Sequence, residues 1–82
     1  MGVITKKTQH TKDYKKLIEE LKAARLAADY TQLEAATALG KHPPFISKIE
    51  SGERRVDVIE LSILCRLYGV KMSHILRKTG LD

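Results

Sequence analysis

The stretch TQLEAATALGKHPPFISKIES, residues 31–51, reads as two short helices joined by a tight turn at Gly40. Thr31 caps the first of them, and Glu34, three residues on, reaches back to the cap's own amide, so that two unpaired N–H groups are satisfied reciprocally. Gly40 follows Leu39 where a left-handed residue ends a helix, and Pro43 suits a first helical position whose N–H needs no partner. The second helix is therefore expected to begin at Pro43. Ala35, Ala36 and Leu39, with Ile46 and Ile49, supply apolar residues at helical spacing to hold the pair together. Pro44, Phe45, Ser47 and Lys48 are left mostly facing outward, a polar and basic face.

On the N-terminal side, Leu17, Ile18, Leu21, Ala24 and Ala28 fall at helical spacing and predict a helix over roughly residues 11–28. Arg25 lies on that apolar stripe, where a lone charge is costly to desolvate, and Glu50 is equally misplaced beside Ile46 and Ile49. The two are expected to pair. Met1 to Thr11 carries Lys6 and Lys7 but no periodicity, the composition of a flexible basic arm. Such an arm reads as a solvated tail in preference to a minor-groove or phosphate contact.

On the C-terminal side, Ser51-Gly52-Glu53-Arg54-Arg55 is a loop with Gly52 placed to end the preceding helix. Asp57 and Glu60 repeat the cap logic for a fourth helix that runs to Tyr68 and stops at Gly69. Val58, Leu61, Leu64, Cys65 and Tyr68 form its core stripe. Ile59, Ile63 and Leu67 form a second stripe, more apolar surface than one small domain needs from one helix. Either the last segment folds back over it or a second copy of the chain does. Met72, Ile75 and Leu76, after a cap at Ser73, predict a short fifth helix. A symmetric dimer would then use Ile59, Ile63 and Leu67, with Leu81 as an added contact.

The 82 residues allow one domain with a modest core. Fifteen Lys and Arg against ten Asp and Glu give a net charge of +5, which favours a polyanionic partner. No apolar run approaches the roughly 20 residues of a membrane-spanning helix, and MGVITKKTQH has no leader-like core, so a cytoplasmic protein is expected. A single cysteine, Cys65, excludes an internal disulfide and a cysteine metal cluster, and His10, His42 and His74 lie too far apart for a ligand spacing. Cys65 reads as a buried small hydrophobe. No cofactor, metal or small-molecule ligand is indicated.

With these residues in view the chain resembles the Cro/cI-like, or xenobiotic-response-element, helix-turn-helix family. The similarity runs from about Leu21 to Leu76 and rests on Arg25, Thr31-Gln32, Ala36, Leu39-Gly40, Ile46-Ser47, Ile49-Glu50, Gly52, the run GERR-V-D and Tyr68-Gly69-Val70, in order and at family spacing. It implies an all-α, five-helix, lambda-repressor-like DNA-binding domain over about residues 12–78, with the motif at about 32–51, an arm at 1–11 and a tail at 79–82. The helix from Pro43 to about Ser51 would enter the major groove, and Arg25–Glu50 would brace it. Ala35 and Leu33 depart from the family pattern, which has a large aliphatic and a polar residue there, so Phe45 or Tyr30 is expected to fill space beside Ala35.

The resemblance and the residue chemistry together give the candidate DNA contacts as Thr31, Gln32, Lys41, His42, Pro43, Pro44, Phe45, Ser47, Lys48, Ser51, Arg54 and Arg55. Pro43 and Pro44 lie where relatives often place base-reading side chains, and proline donates nothing, so direct readout is thinned. Lys48 is the best candidate for guanine O6 or N7, and Ser47 suits a base or a phosphate. Pro44 and Phe45 suit thymine methyls, although Phe45 fits the core equally well. Gln32, Arg54 and Arg55 suit phosphates.

The expected function is sequence-specific DNA binding in transcriptional control, by a homodimer on a pseudo-palindromic operator. Repression by promoter occlusion is the default, since no effector or activation region is expected after the fifth helix. A protein-interaction module or antitoxin-type component, keeping the fold without base readout, is the second reading. An enzyme is poorly supported, because no nucleophile with a base and no glycine-rich phosphate loop is evident.

Overall fold

The computed structural model describes residues 11–80. Five helices follow one another: α1 Lys12–Ala27, α2 Gln32–Ala38, α3 Pro44–Ser51, α4 Val58–Tyr68 and α5 Met72–Thr79. No strand occurs among the described residues. Of the expected N-terminal arm only Thr11 is described, and it belongs to α1 as its cap, its Oγ1 accepting from the Tyr14 N–H at 3.1 Å. The rest of the arm, and Leu81, lie outside the described residues.

The helix ends are set by local chemistry that the chain supplies at each boundary. Thr31 and Glu34 form the reciprocal cap of α2, with Glu34 N–H on Thr31 Oγ1 at 3.0 Å and Thr31 N–H on Glu34 Oε1 at 2.9 Å. Gly40 takes a left-handed conformation, φ 66°, which lets Lys41 N–H turn back to the Ala36 carbonyl at 2.8 Å and Gly40 N–H to that of Thr37 at 3.0 Å. Asp29 does the same after α1, with φ 68°, and is the only residue other than glycine in that region among those described. Asp57 and Glu60 form the second reciprocal cap, on α4.

Helix α1 is the central element, packing against α3, α4 and α5, while α2 packs on α3 and α4 on α5. Between them lies a core of Leu17, Ile18, Leu21 and Ala24 from α1, Ala35 and Ala36 from α2, Phe45, Ile46 and Ile49 from α3, Val56 from the loop, Leu61, Leu64, Cys65 and Tyr68 from α4, and Ile75 from α5. Leu21, Ile46, Ile49 and Leu64 are its largest fully buried side chains, each about 1.5–3 kcal/mol of transfer free energy. Tyr30 lies against Tyr68, ring centroids 6.2 Å apart.

Three expectations about packing are corrected. Val58, assigned to the core stripe, is 63% exposed, because at about 100° per residue it falls some 60° to one side of Leu61 and opens the first turn of the helix. Leu67, assigned to the outer stripe with Ile59 and Ile63, packs against the core. Ser73 is not the cap of α5: the helix starts at Met72 with Lys71 in the cap position, and the Lys71 carbonyl receives the N–H groups of His74 and Ile75.

Candidate nucleic-acid interface

Helix α3 divides its residues between two faces. Phe45, Ile46 and Ile49 are buried, and Glu50 joins them with its side chain only 6% exposed. The opposite face carries Pro44, Ser47, Lys48 and Ser51, with Lys48 and Ser51 exposed and Pro44 and Ser47 half-buried. Pro43 and His42, just before the helix, are exposed as well. The face expected to be outward is thus outward, except for Phe45. That residue is 8% exposed and belongs to the core, so a thymine-methyl contact from Phe45 is withdrawn. Its position beside Ile49 turns it inward, and Lys41 Nζ and Arg54 Cζ cover the ring at 5.3 Å and 4.9 Å from its centroid.

The helix is braced from behind. Arg25 Nε donates to Glu50 Oε2 at 2.7 Å and Nη2 to Oε1 at 3.0 Å, while Nη1 donates to the Tyr30 carbonyl at 2.7 Å. Both side chains are 6% exposed, so the pair is desolvated and survives because its hydrogen-bonding capacity is largely met. The hydrogen bonds it donates to Glu50 hold the Arg25 guanidinium above its ordinary range. Gln32 Nε2 adds a third donor to Glu50 Oε1 at 3.0 Å, tying the start of α2 to α3. Gln32, expected at a phosphate, therefore has one amide hydrogen already committed to this network.

The other candidate contacts are placed as follows. Thr31 is exposed but its hydroxyl serves the α2 cap, and Lys41 is exposed over Phe45. Ser47 and Ser51 each donate back along the helix, to the Pro44 and Lys48 carbonyls, both at 3.1 Å. Lys48 Nζ stands 3.9 Å from Glu53 Oε2, a loose pair with both side chains exposed. Arg55 is exposed.

Arg54 engages α4, with its side chain 41% exposed. Its Nη1 and Nη2 donate to Glu60 Oε1 at 2.9 Å and Oε2 at 2.8 Å, and Nη1 also reaches the Arg55 carbonyl at 3.1 Å. That bidentate bond holds the Glu60 carboxyl below its ordinary range. Sequence reading missed this pair: six residues separate the partners, a spacing with no helical meaning, and Glu60 already had a role in the cap. It also missed Tyr14, whose hydroxyl accepts the Val56 N–H at 3.1 Å and pins the loop to α1.

A short helix held rigidly behind its neighbour, with one polar basic face left open, defines a helix-turn-helix protein. Residues 21–75 match the helix-turn-helix family profile. A solved structure, an XRE-family like protein from Pseudomonas syringae pv. tomato str. DC3000, is similar at 43% sequence identity and a TM-score of 0.81, with 90% of each chain covered. No match was found among curated proteins. The chain belongs to the XRE-type helix-turn-helix family, whose members are DNA-binding transcription regulators.

Among the described residues no helix is long and apolar enough to cross a membrane, and no group of three or more His, Cys, Asp and Glu is placed to hold a metal ion.

Proposed function

We propose that this protein is a sequence-specific transcriptional repressor that binds a pseudo-palindromic operator as a homodimer, with α3 in the major groove. The observation that carries the reading is the open α3 face, with Lys48 as the helix's sole cation, its side chain 47% exposed and opposed only by a weak surface pair. A lysine there reaches guanine O6 or N7, and the carbons of Pro43 and Pro44 suit thymine methyls. Lys41, His42, Arg55, Thr31 and the remaining donor of Gln32 flank this face and suit phosphates.

Dimerisation would use the outward side of α4, where Ile59 and Ile63 are 66% and 39% exposed. Two-fold pairing there sets two α3 helices on one face of the duplex, with half-sites roughly 34 Å apart. Repression follows by occlusion of the promoter. Selection of bound duplexes from a random pool tests the reading: enrichment of a two-fold symmetric sequence is expected, and no enrichment overturns it.

One observation favours a second reading, an interaction module of the same fold. Two prolines and two back-bonded serines leave α3 with few free donors for bases. Mobility shifts separate the two: retention of neither random nor selected fragments supports the module.

A further inference from the structure

The α3–α4 loop is held by more bonds than a solvated connection needs. Gly52 N–H goes to the Ile49 carbonyl, Glu53 N–H to Ser51 Oγ, Arg54 N–H to the Lys48 carbonyl, Val56 N–H to Tyr14 Oη and Asp57 N–H to Glu60 Oε1. Arg54 closes this set from the side-chain direction. Its guanidinium takes both Glu60 oxygens, returns to the Arg55 carbonyl and lies 4.9 Å from the centre of the Phe45 ring. Lys41, from the turn before α3, reaches the same ring at 5.3 Å. One buried aromatic in the first turn of α3 therefore meets a cation from each flanking loop, and one of those cations is bolted to the capping glutamate of α4.

Helix α3 itself has no side-chain cap bond at its start. The arrangement around Phe45 instead ties the turn before α3 and the loop after it to the helix's first turn. A guanidinium engaged fork-to-fork with a carboxylate is neutralised, and rotating it toward a phosphate would leave Glu60 exposed as an uncompensated negative charge near DNA. Arg55, its neighbour, is exposed, its guanidinium has no hydrogen bond or ion pair among the described residues, and its carbonyl accepts from Arg54.

We infer that Arg54 is a positioning residue that locks the two loops flanking α3 through Phe45 and Glu60, and that Arg55 is the phosphate ligand of this loop. The inference rests on the DNA-binding reading above and assigns two adjacent arginines opposite roles. It is the juxtaposition of Glu60, Arg54 and Phe45 that separates them.

The test is the salt dependence of binding to a selected operator for R54Q, R54K, R55Q, E60Q and the R54Q/E60Q pair. Glutamine at position 60 keeps the reciprocal cap, because Gln serves that position as Glu does, so E60Q retains the fold while weakening the fork. R55Q is expected to make the slope of log K against log salt shallower by about 0.9, the signature of one lost phosphate. R54Q and E60Q are each expected to weaken binding roughly three- to tenfold with the slope unchanged, and the double variant to lose no more than either alone. R54K is expected to behave as R54Q, since an ammonium cannot make the fork but would serve a phosphate.

A slope made shallower by R54Q, wild-type binding in R54K, or tighter binding in E60Q overturns the assignment. If the wild-type protein binds no DNA, the functional reading fails and the lock is judged by thermal melting. Coupled shifts in Tm for R54Q and E60Q then sustain it, and additive shifts overturn it.

Discussion

Arg25 and Glu50, 25 positions apart, meet as a fork, Nε to Oε2 at 2.7 Å and Nη2 to Oε1 at 3.0 Å, with each side chain 6% exposed. Removing either partner strands a buried charge. R25A or E50A is expected to cost about 3–5 kcal/mol, whereas R25M/E50M, which removes both charges and keeps apolar volume, recovers most of the loss. Urea midpoints check this, and single variants with wild-type midpoints would contradict it.

Lys48 is the one donor on α3 that is both long and open. K48A is expected to lose about 1–3 kcal/mol of discrimination at a single base pair of each half-site while the other positions keep their preference. Competition binding against operators mutated one pair at a time reads this directly. A uniform loss across all operators would make Lys48 a phosphate contact instead.

Glu53 stands 3.9 Å from Lys48 in a solvent-exposed pair. Such pairs contribute little to stability, so E53Q is expected to leave the melting temperature within a degree or so of wild type. Its effect on DNA goes the other way: removing a negative charge beside the binding face strengthens binding several-fold at low salt, and the gain shrinks as salt rises. Fluorescence anisotropy titrations at two salt concentrations provide the measurement.

Ile59 and Ile63 form the outward apolar side of α4. I59E, at a position 66% exposed in the monomer, is expected to leave the fold intact within about 0.5 kcal/mol. It abolishes self-association in sedimentation and lowers operator affinity by the loss of two-site binding. An unchanged sedimentation profile, monomeric in both proteins, would remove the dimer.

Burial raises the Tyr68 hydroxyl to about 12 from an ordinary 10. An acid whose folded pKa is raised gives stability that is complete below the unfolded pKa and declines as pH climbs through the folded one. The loss is therefore expected between about pH 10 and 12, on the order of 2–3 kcal/mol. Y68F removes that limb of the profile, and identical alkaline melting curves for the two proteins would show that the group titrates normally.

Much of this architecture can be read from residue types, because the signals that delimit helices are local. Thr31 with Glu34 and Asp57 with Glu60 announce their caps, and Gly40, Gly52 and Gly69 mark their stops. Arg25 and Glu50 are legible for another reason: a charge on an apolar stripe predicts a partner even when the partner is distant. Phe45 is different. It borders both faces of α3, and the Lys41 and Arg54 that cover its ring come from loops whose conformation has no periodic signature. Val58 and Leu67 fail for the same reason, since each lies at the margin of a stripe where neighbouring elements decide burial. The Arg54–Glu60 pair is not legible either, because only the charge of Arg54, and not its nearness to the carboxylate on α4, shows in the sequence.

The twin prolines have one more effect. A helix beginning normally offers its first amides to an anion, but Pro43 and Pro44 carry no N–H and Phe45's is spent on the His42 carbonyl at 3.0 Å. The leading tip of α3 is thus electrostatically blunt. On the DNA-binding reading proposed above, attraction to the sugar-phosphate chain is left to the side chains around that tip, so single charge substitutions there are expected to tune the grip.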